Sequence, residues 1–169
     1  MKQIKSIIAV ALLTAFASSS VLAAPPAAAQ AAKPGPYTIV EIVLADDGEF
    51  DVLQAAVVKA GLVDALNGST QYTVFAPTDD AFIATLGVAN EEEALAVIEA
   101  LPVDALTNIL LYHVIPGRRI STSVLAAPKY QTLNGKKLTR AELAAAGIAA
   151  TDISASNGVI HVIKAVLIP

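Results

Sequence analysis

The chain has 169 residues, no cysteine, no tryptophan and a formal charge of −4, enough for one domain with a core of its own. The absence of cysteine excludes disulfides, thiolate metal sites, iron–sulfur clusters, thiol catalysis and a lipidated N-terminal cysteine. Hydrophobic residues make up 55% of the chain, but 34 of them are alanine, and the acidic balance argues against a general nucleic-acid binder.

Lys2 and Lys5 precede an apolar run, Ile7–Phe16, and small residues follow as far as Ala23. That order reads as a secretory signal peptide over residues 1–23. The run is too short for an anchor, because a helix of that length rises only about 15 Å against a hydrocarbon core of about 30 Å. Ala24–Pro36 has four prolines and is otherwise mostly alanine. It lacks the side chains that offset chain ordering and is expected to be a disordered linker. The folded domain is expected over residues 37–169. No second long apolar segment follows, so the mature chain is expected to have no transmembrane segment and to be periplasmic or secreted.

Tyr37–Ala45 and Glu49–Ala60 read as helices, the second from Phe50, Leu53 and Val57 with Gly61 as its stop. Gln71–Ala76 is β-branched and aromatic and ends at Pro77, the pattern of a strand. Thr78 is placed to cap a helix whose first turn holds Asp79 and Asp80, and Asn90 to cap another through Glu93. Helical spacing resumes after Pro102 through Leu106, Ile109 and Leu110. Tyr130–Leu133 and Lys136–Leu138 flank Asn134-Gly135, the signature of a two-residue hairpin turn. Thr139-Arg140-Ala141-Glu142 forms a capping-box pattern for a helix that Gly147 ends. Gly158–Ile168 is apolar on both parities, which predicts a strand covered on both faces. Helices early and strands late favour an α+β class.

Three segments carry a resemblance. Thr73–Phe82 (TVFAPTDDAF), Leu110–Gly117 (LLYHVIPG) and Asn157–Pro169 (NGVIHVIKAVLIP) resemble, in order, the three signature blocks of the fasciclin-like domain. The resemblance spans residues 37–169. It implies a β-wedge or sandwich of two small sheets with several helices packed along it, and a family used in extracellular adhesion without an established catalytic centre. Two departures stand out: Thr139–Ala150 looks helical where the family continues a strand, and Lys164 replaces a frequent acid.

The same resemblance points to candidate partner-binding residues. Tyr112 and His113 match a tyrosine–histidine element linked to integrin attachment in animal relatives, and Asp152-Ile153 resembles a second such element. From the residues alone, another reading stands beside each. The phenol and imidazole can lock two layers together as buried hydrogen-bonding groups, and Asp152 can bond backbone amides in a turn. With two histidines in the chain, a zinc site needs His113, His161 and a carboxylate to converge. No Gly-x-Ser-x-Gly elbow and no phosphate loop occur, so catalytic residues, metal and cofactor are all read as none.

Charge is uneven. Residues 37–110 hold one base, Lys59, against thirteen acids, whereas residues 111–169 hold seven bases against two acids. Six of the bases, Arg118, Arg119, Lys129, Lys136, Lys137 and Arg140, follow one another without an intervening acid. They form either a solvated hairpin whose charges discourage edge pairing or a basic face including Arg118 and Arg119 for an anionic partner. The partners expected are an extracellular protein or an anionic polysaccharide at a cell surface, with weak self-association through a second copy's acidic half. The function this supports is a secreted adhesion or attachment module. A small-ligand or assembly accessory protein is the alternative.

Overall fold

The computed structural model describes residues 34–45 and 48–169. The expected signal peptide and most of the expected linker lie outside the described residues. The elements run α1 (Ile39–Val43), α2 (Asp51–Lys59), α3 (Val63–Leu66), β1 (Tyr72–Pro77), α4 (Asp79–Leu86), α5 (Glu91–Ala100), α6 (Val103–Tyr112), β2 (Val114–Pro116), α7 (Ser121–Ala126), β3 (Lys129–Gln131), β4 (Lys137–Thr139), α8 (Arg140–Ala146), β5 (Ile148–Ala155) and β6 (Gly158–Ile163). The class is α+β, as the order of the sequence patterns implies.

Local capping side chains begin four of the eight described helices. The Thr78 hydroxyl accepts from Ala81 N at 3.3 Å and begins α4, and Asn90 Oδ1 accepts from Glu93 N at 2.9 Å and begins α5. Thr38 and Thr139 each form a complete capping box, with Glu41 and Glu142 respectively. Pro102, lacking an N–H to continue α5, turns the chain so that α6 leaves at 115° to it. Lys59, the one base of residues 37–110, donates to the carbonyls of Ile98, Glu99 and Leu101 and caps the end of α5. Its charge suits the negative end of that helix.

The main sheet has the order β2-β1-β6-β5, with β1 and β6 parallel and the two outer pairs antiparallel. Alternation along its strands feeds two cores. Val74, Ala76, Val114, Ile160 and Val162 face the helical layer built by α1 to α6. Phe75, Ile115 and Ile163 face a second cluster with Tyr112, Val124, Tyr130, Leu138, Leu143 and Leu167, closed by α7, α8 and the small sheet β3-β4. The apolar double parity read in Gly158–Ile168 is therefore real, since every residue of β6 is buried. The strand stops at Ile163, and 164–169 runs on as a tail across the sheet end.

Two details differ from the sequence expectation. The β3–β4 connection is longer than two residues: Gly135 N donates to Thr132 O at 3.1 Å with Gly135 at φ +86°. A two-residue type I′ turn also needs positive φ at Asn134, which Asn134 does not adopt. The helical reading of Thr139–Ala150 is right only as far as Ala146. Gly147, at φ +67°, ends α8, and β5 begins at Ile148.

The helical layer is tied to the sheet at one buried amide. Asn157 Oδ1 accepts from Ile39 N at 2.8 Å, while Nδ2 donates to Leu66 O at 2.7 Å and Gly68 O at 2.9 Å. Beside it, a Cβ on Gly158 would lie 2.1 Å from Tyr72 O and 2.6 Å from Ile39 Cδ1. Only glycine fits between β1 and α1. Asn157→Ala removes the side-chain partner of Ile39 N and Leu66 O in the interior and of the more exposed Gly68 O, and is expected to lower unfolding free energy by about 3 kcal/mol in a urea titration. Lys136→Ala, on the surface, is expected to move it by less than about 0.5 kcal/mol.

Candidate functional site

Tyr112 and His113 stand where α6 gives way to β2, and both are buried. The Tyr112 hydroxyl donates to Lys137 O at 3.3 Å, joining α6 to the small sheet. His113 Nδ1 donates to Ile109 O at 2.8 Å, and Nε2 accepts from Leu167 N at 2.9 Å. The imidazole is thus a neutral strut between the end of α6 and the C-terminal tail. Burial holds its pKa down at about 4, against a smaller opposing effect of the Ile109 carbonyl.

His161 plays the matching part on β6. Its Nδ1 accepts from Asp152 N at 3.2 Å, Nε2 donates to Arg119 O at 3.0 Å, and the ring stacks on Phe75 at 5.7 Å. Burial lowers its pKa as well, against raising effects of the Arg119 carbonyl and the Asp152 charge. With both nitrogens of each imidazole engaged by backbone groups, the convergence that a histidine zinc site requires is not formed by His113 and His161.

Asp152 lies in an irregular stretch of β5 at φ +66°, the one positive φ outside glycine among the described residues. Its carboxylate accepts from Ser121 N at 2.7 Å and from the Ser121 hydroxyl. It thereby caps α7, whose own N-cap residue, Ile120, has no side-chain oxygen to offer. A serine, an aspartate and a histidine do meet here, but in the wrong connectivity for acyl transfer. The serine donates to the carboxylate, and the imidazole hydrogen-bonds to backbone groups alone. Ile153, next along, is half-buried and packs against the first core.

Arg118 and Arg119 are half-buried. Arg118 Nη1 donates to Ala155 O at 2.8 Å and Gly158 O at 2.6 Å, and Nη2 donates to the Ser154 hydroxyl. The guanidinium therefore clamps the β5–β6 hairpin. Arg119 lies over the Tyr130 ring with its central carbon 5.1 Å from the centroid. Four of the six residues read from the sequence, Arg118, Arg119, Asp152 and Ile153, gather around β5, β6 and the loop after β2, joined by the Asp152–His161–Arg119 and Arg118–hairpin bonds. Tyr112 and His113 lie apart from that network, bonded instead to β4 and the tail.

Sequence reading missed one cap and the separation of the cations. Asp79 Oδ1 and Oδ2 accept from Val52 N at 2.9 Å and Asp51 N at 3.2 Å, so a residue of α4 caps α2. Burial raises its pKa, with the two amides opposing. Carboxylate oxygens of Asp51, Asp79 and Glu91 lie within 4.8 Å of one another, the grouping among the described residues with metal-ligating chemistry. The Asp79 oxygens in that group already serve the α2 amides. Lys129, Lys136, Lys137 and Arg140, by contrast, are exposed. The acid-free run in the sequence signals the cations, but not which of them are held by the fold.

The sequence pattern of the fasciclin domain matches residues 48–169. Protein sll1483 of Synechocystis sp. is 40% identical over 146 residues, covering 83% of this chain and 78% of that protein. Transforming growth factor-beta-induced protein ig-h3 of Sus scrofa is 38% identical over 141 residues, covering 79% of this chain but 20% of its own length. The domain pair of the insect cell adhesion molecule Fasciclin I superposes with a TM-score of 0.57 at 15% identity, over 80% of this chain and 52% of that one, a likeness of fold.

Two expectations follow from this geometry. The lowered His113 pKa means that the unfolded chain binds the extra proton first. His113's contribution is complete above its unfolded value near 6.5 and is lost as pH falls toward about 4. Between pH 7 and pH 5 it accounts for about 2 kcal/mol of stability, with His161 adding in the same direction. Urea titrations across that range should show a flatter pH dependence for His113→Gln than for the unaltered protein. Arg118→Ala removes the hairpin clamp and is expected to cost about 2 kcal/mol in the same measurement.

Proposed function

Because the chain belongs to the fasciclin domain family, we propose that it is an exported, non-enzymatic binding module that attaches to cell-surface or extracellular-matrix material. The basic start, short apolar run and small-residue exit of residues 1–23 support export to the periplasm or beyond, with residues 24–36 as the tether and 37–169 as the module. The observation that carries the reading is the use made of the reactive side chains. Both imidazoles and Asp152 bond backbone groups of the fold itself. What is left to meet a partner is shape and surface charge.

On this reading the six residues have two kinds of work. Arg118, Arg119 and Ile153 are partly exposed and border the partner-facing surface, with Asp152 holding the loop beside them, whereas Tyr112 and His113 brace β4 and the C-terminal tail from within. Adhesion by the Fasciclin I molecule, named as an insect cell adhesion molecule, supports the same role here. A second reading, capture of a small apolar ligand, has one observation in its favour. A cavity of about 90 Å³, lined by Phe82, Leu86, Leu106, Ile109 and Val166 among others, adjoins His113. Apolar cavities that take a benzene-sized guest measure about 150 Å³, so this one suits a chain end at most, and the surface reading leads.

Beads coated with the mature protein are expected to bind cell-envelope or matrix material saturably, above albumin-coated controls. Retention no better than albumin overturns the proposal, as does purified protein that turns over a substrate and loses that activity on His113→Gln or His161→Gln substitution.

A further inference from the structure

The seven cations between residues 59 and 140 fall into two groups. Lys59, Arg118 and Arg119 are held by the fold, against a helix end, a hairpin and an aromatic ring. Lys129, Lys136, Lys137 and Arg140 are exposed, and among the described residues no hydrogen bond or ion pair engages their side chains. All four lie on the β3–β4 hairpin or at its exit into α8.

Pairing in the hairpin sets Lys129 opposite Thr139, Tyr130 opposite Leu138, and Gln131 opposite Lys137. Tyr130 and Leu138 point into the second core, so strand alternation turns Lys129, Gln131 and Lys137 outward. Lys129 and Lys137 are diagonal neighbours, about 7–8 Å apart. Lys136 precedes β4 at the tip and Arg140 opens α8, both exposed and adjacent in sequence to the outward strand ends. One acid, Glu142, falls between Arg118 and Thr151 in the sequence, and its carboxylate is bonded to Thr139 N and Oγ1, each at 2.7 Å. At the tip, Asn134 Nδ2 donates to Asn108 O at 3.2 Å, which seats the hairpin on α6.

We infer that this outer face of the β3–β4 hairpin is the docking surface for an extended acidic polysaccharide, with its carboxylates along Lys129, Lys137, Lys136 and Arg140. The inference rests on the adhesion reading above and gives it a partner class. Other polyanions fit the face less well. Single-stranded nucleic acid is held by stacking on exposed aromatics, but Tyr130, the aromatic of this hairpin, is buried beneath Arg119. Duplex binding needs a strongly positive field, and the chain carries −4 overall. Anionic membranes are gripped by apolar side chains among the cations, of which this face offers Leu133 alone at its tip. A sugar chain finds carboxylate partners in the lysines and a hydroxyl partner in the exposed Gln131 amide.

The test uses full-length mature protein and polygalacturonate as the probe, with binding measured by calorimetry at low and high salt. Unaltered protein is expected to bind, and more weakly as salt rises. The combined Lys129→Gln, Lys136→Gln and Lys137→Gln variant should bind about tenfold more weakly at an unchanged urea midpoint, because each exposed charge contributes roughly a factor of two. The same three positions changed to Arg should restore binding. Equal binding by the Gln variant overturns the inference, and so does equal binding of methyl-esterified polygalacturonate, duplex DNA or anionic vesicles. Bead retention on envelope material, followed in parallel, separates the two levels. Retention without polygalacturonate binding removes this inference alone, whereas absence of both removes the adhesion reading as well.

Discussion

The buried side-chain amide of Asn157 joins parts of the chain that have no other reason to meet. Its oxygen accepts a hydrogen bond from the first turn of α1 and its nitrogen donates two to carbonyls at and beyond the end of α3, while the backbone carbonyl of Asn157 accepts from Tyr72 N at the start of β1. An amide suits the position because it accepts and donates at once, and neither a carboxylate nor an aliphatic side chain does both. Gly158, next to it, lets α1 and β1 close on the hairpin without a clash. Arg118 then grips the same hairpin from the opposite side through Ala155 O and Gly158 O. The wedge is therefore held together at the turn between β5 and β6, and the two cores fill in around it.

The histidines follow the same logic. A neutral imidazole can bridge a donor and an acceptor across a dry interior, and each of the two does so between backbone groups remote in sequence. Catalysis needs an imidazole with one nitrogen open to a reacting group, and here that capacity is given over to architecture. Among the cations the division is just as clear. Those near the center of the fold neutralise carbonyl ends and cover a ring, whereas those on the small sheet face solvent.

Much of the fold was legible in the residues because its signals are local. Thr78, Asn90 and Thr139 each announce a helix three residues ahead of the carboxylate or amide that completes the cap. The unbroken apolar run of β6 could only sit between two layers. Strand β5 was not legible. Its residues, Ile148–Ala155, are mostly small or polar, and an irregularity at Asp152 breaks the alternation that would have marked them. The same irregularity hid the role of Asp152, because its partner Ser121 is far away in sequence and belongs to a helix that cannot cap itself. Tyr112 and His113 could be read as buried from their apolar neighbours, but the atoms they bond could not. For the basic run, composition showed charge and only the three-dimensional arrangement showed which charges are free.

One of the two central strands of the main sheet, β6, is also the last strand among the described residues. β6 lies between β1 and β5, parallel to a strand laid down long before it, so neither core has a finished wall until residues 158–163 exist. A nascent chain lacking them has short helices at its disposal, and such helices are marginal in water on their own. Commitment to tertiary structure therefore comes late and depends on closing a long loop.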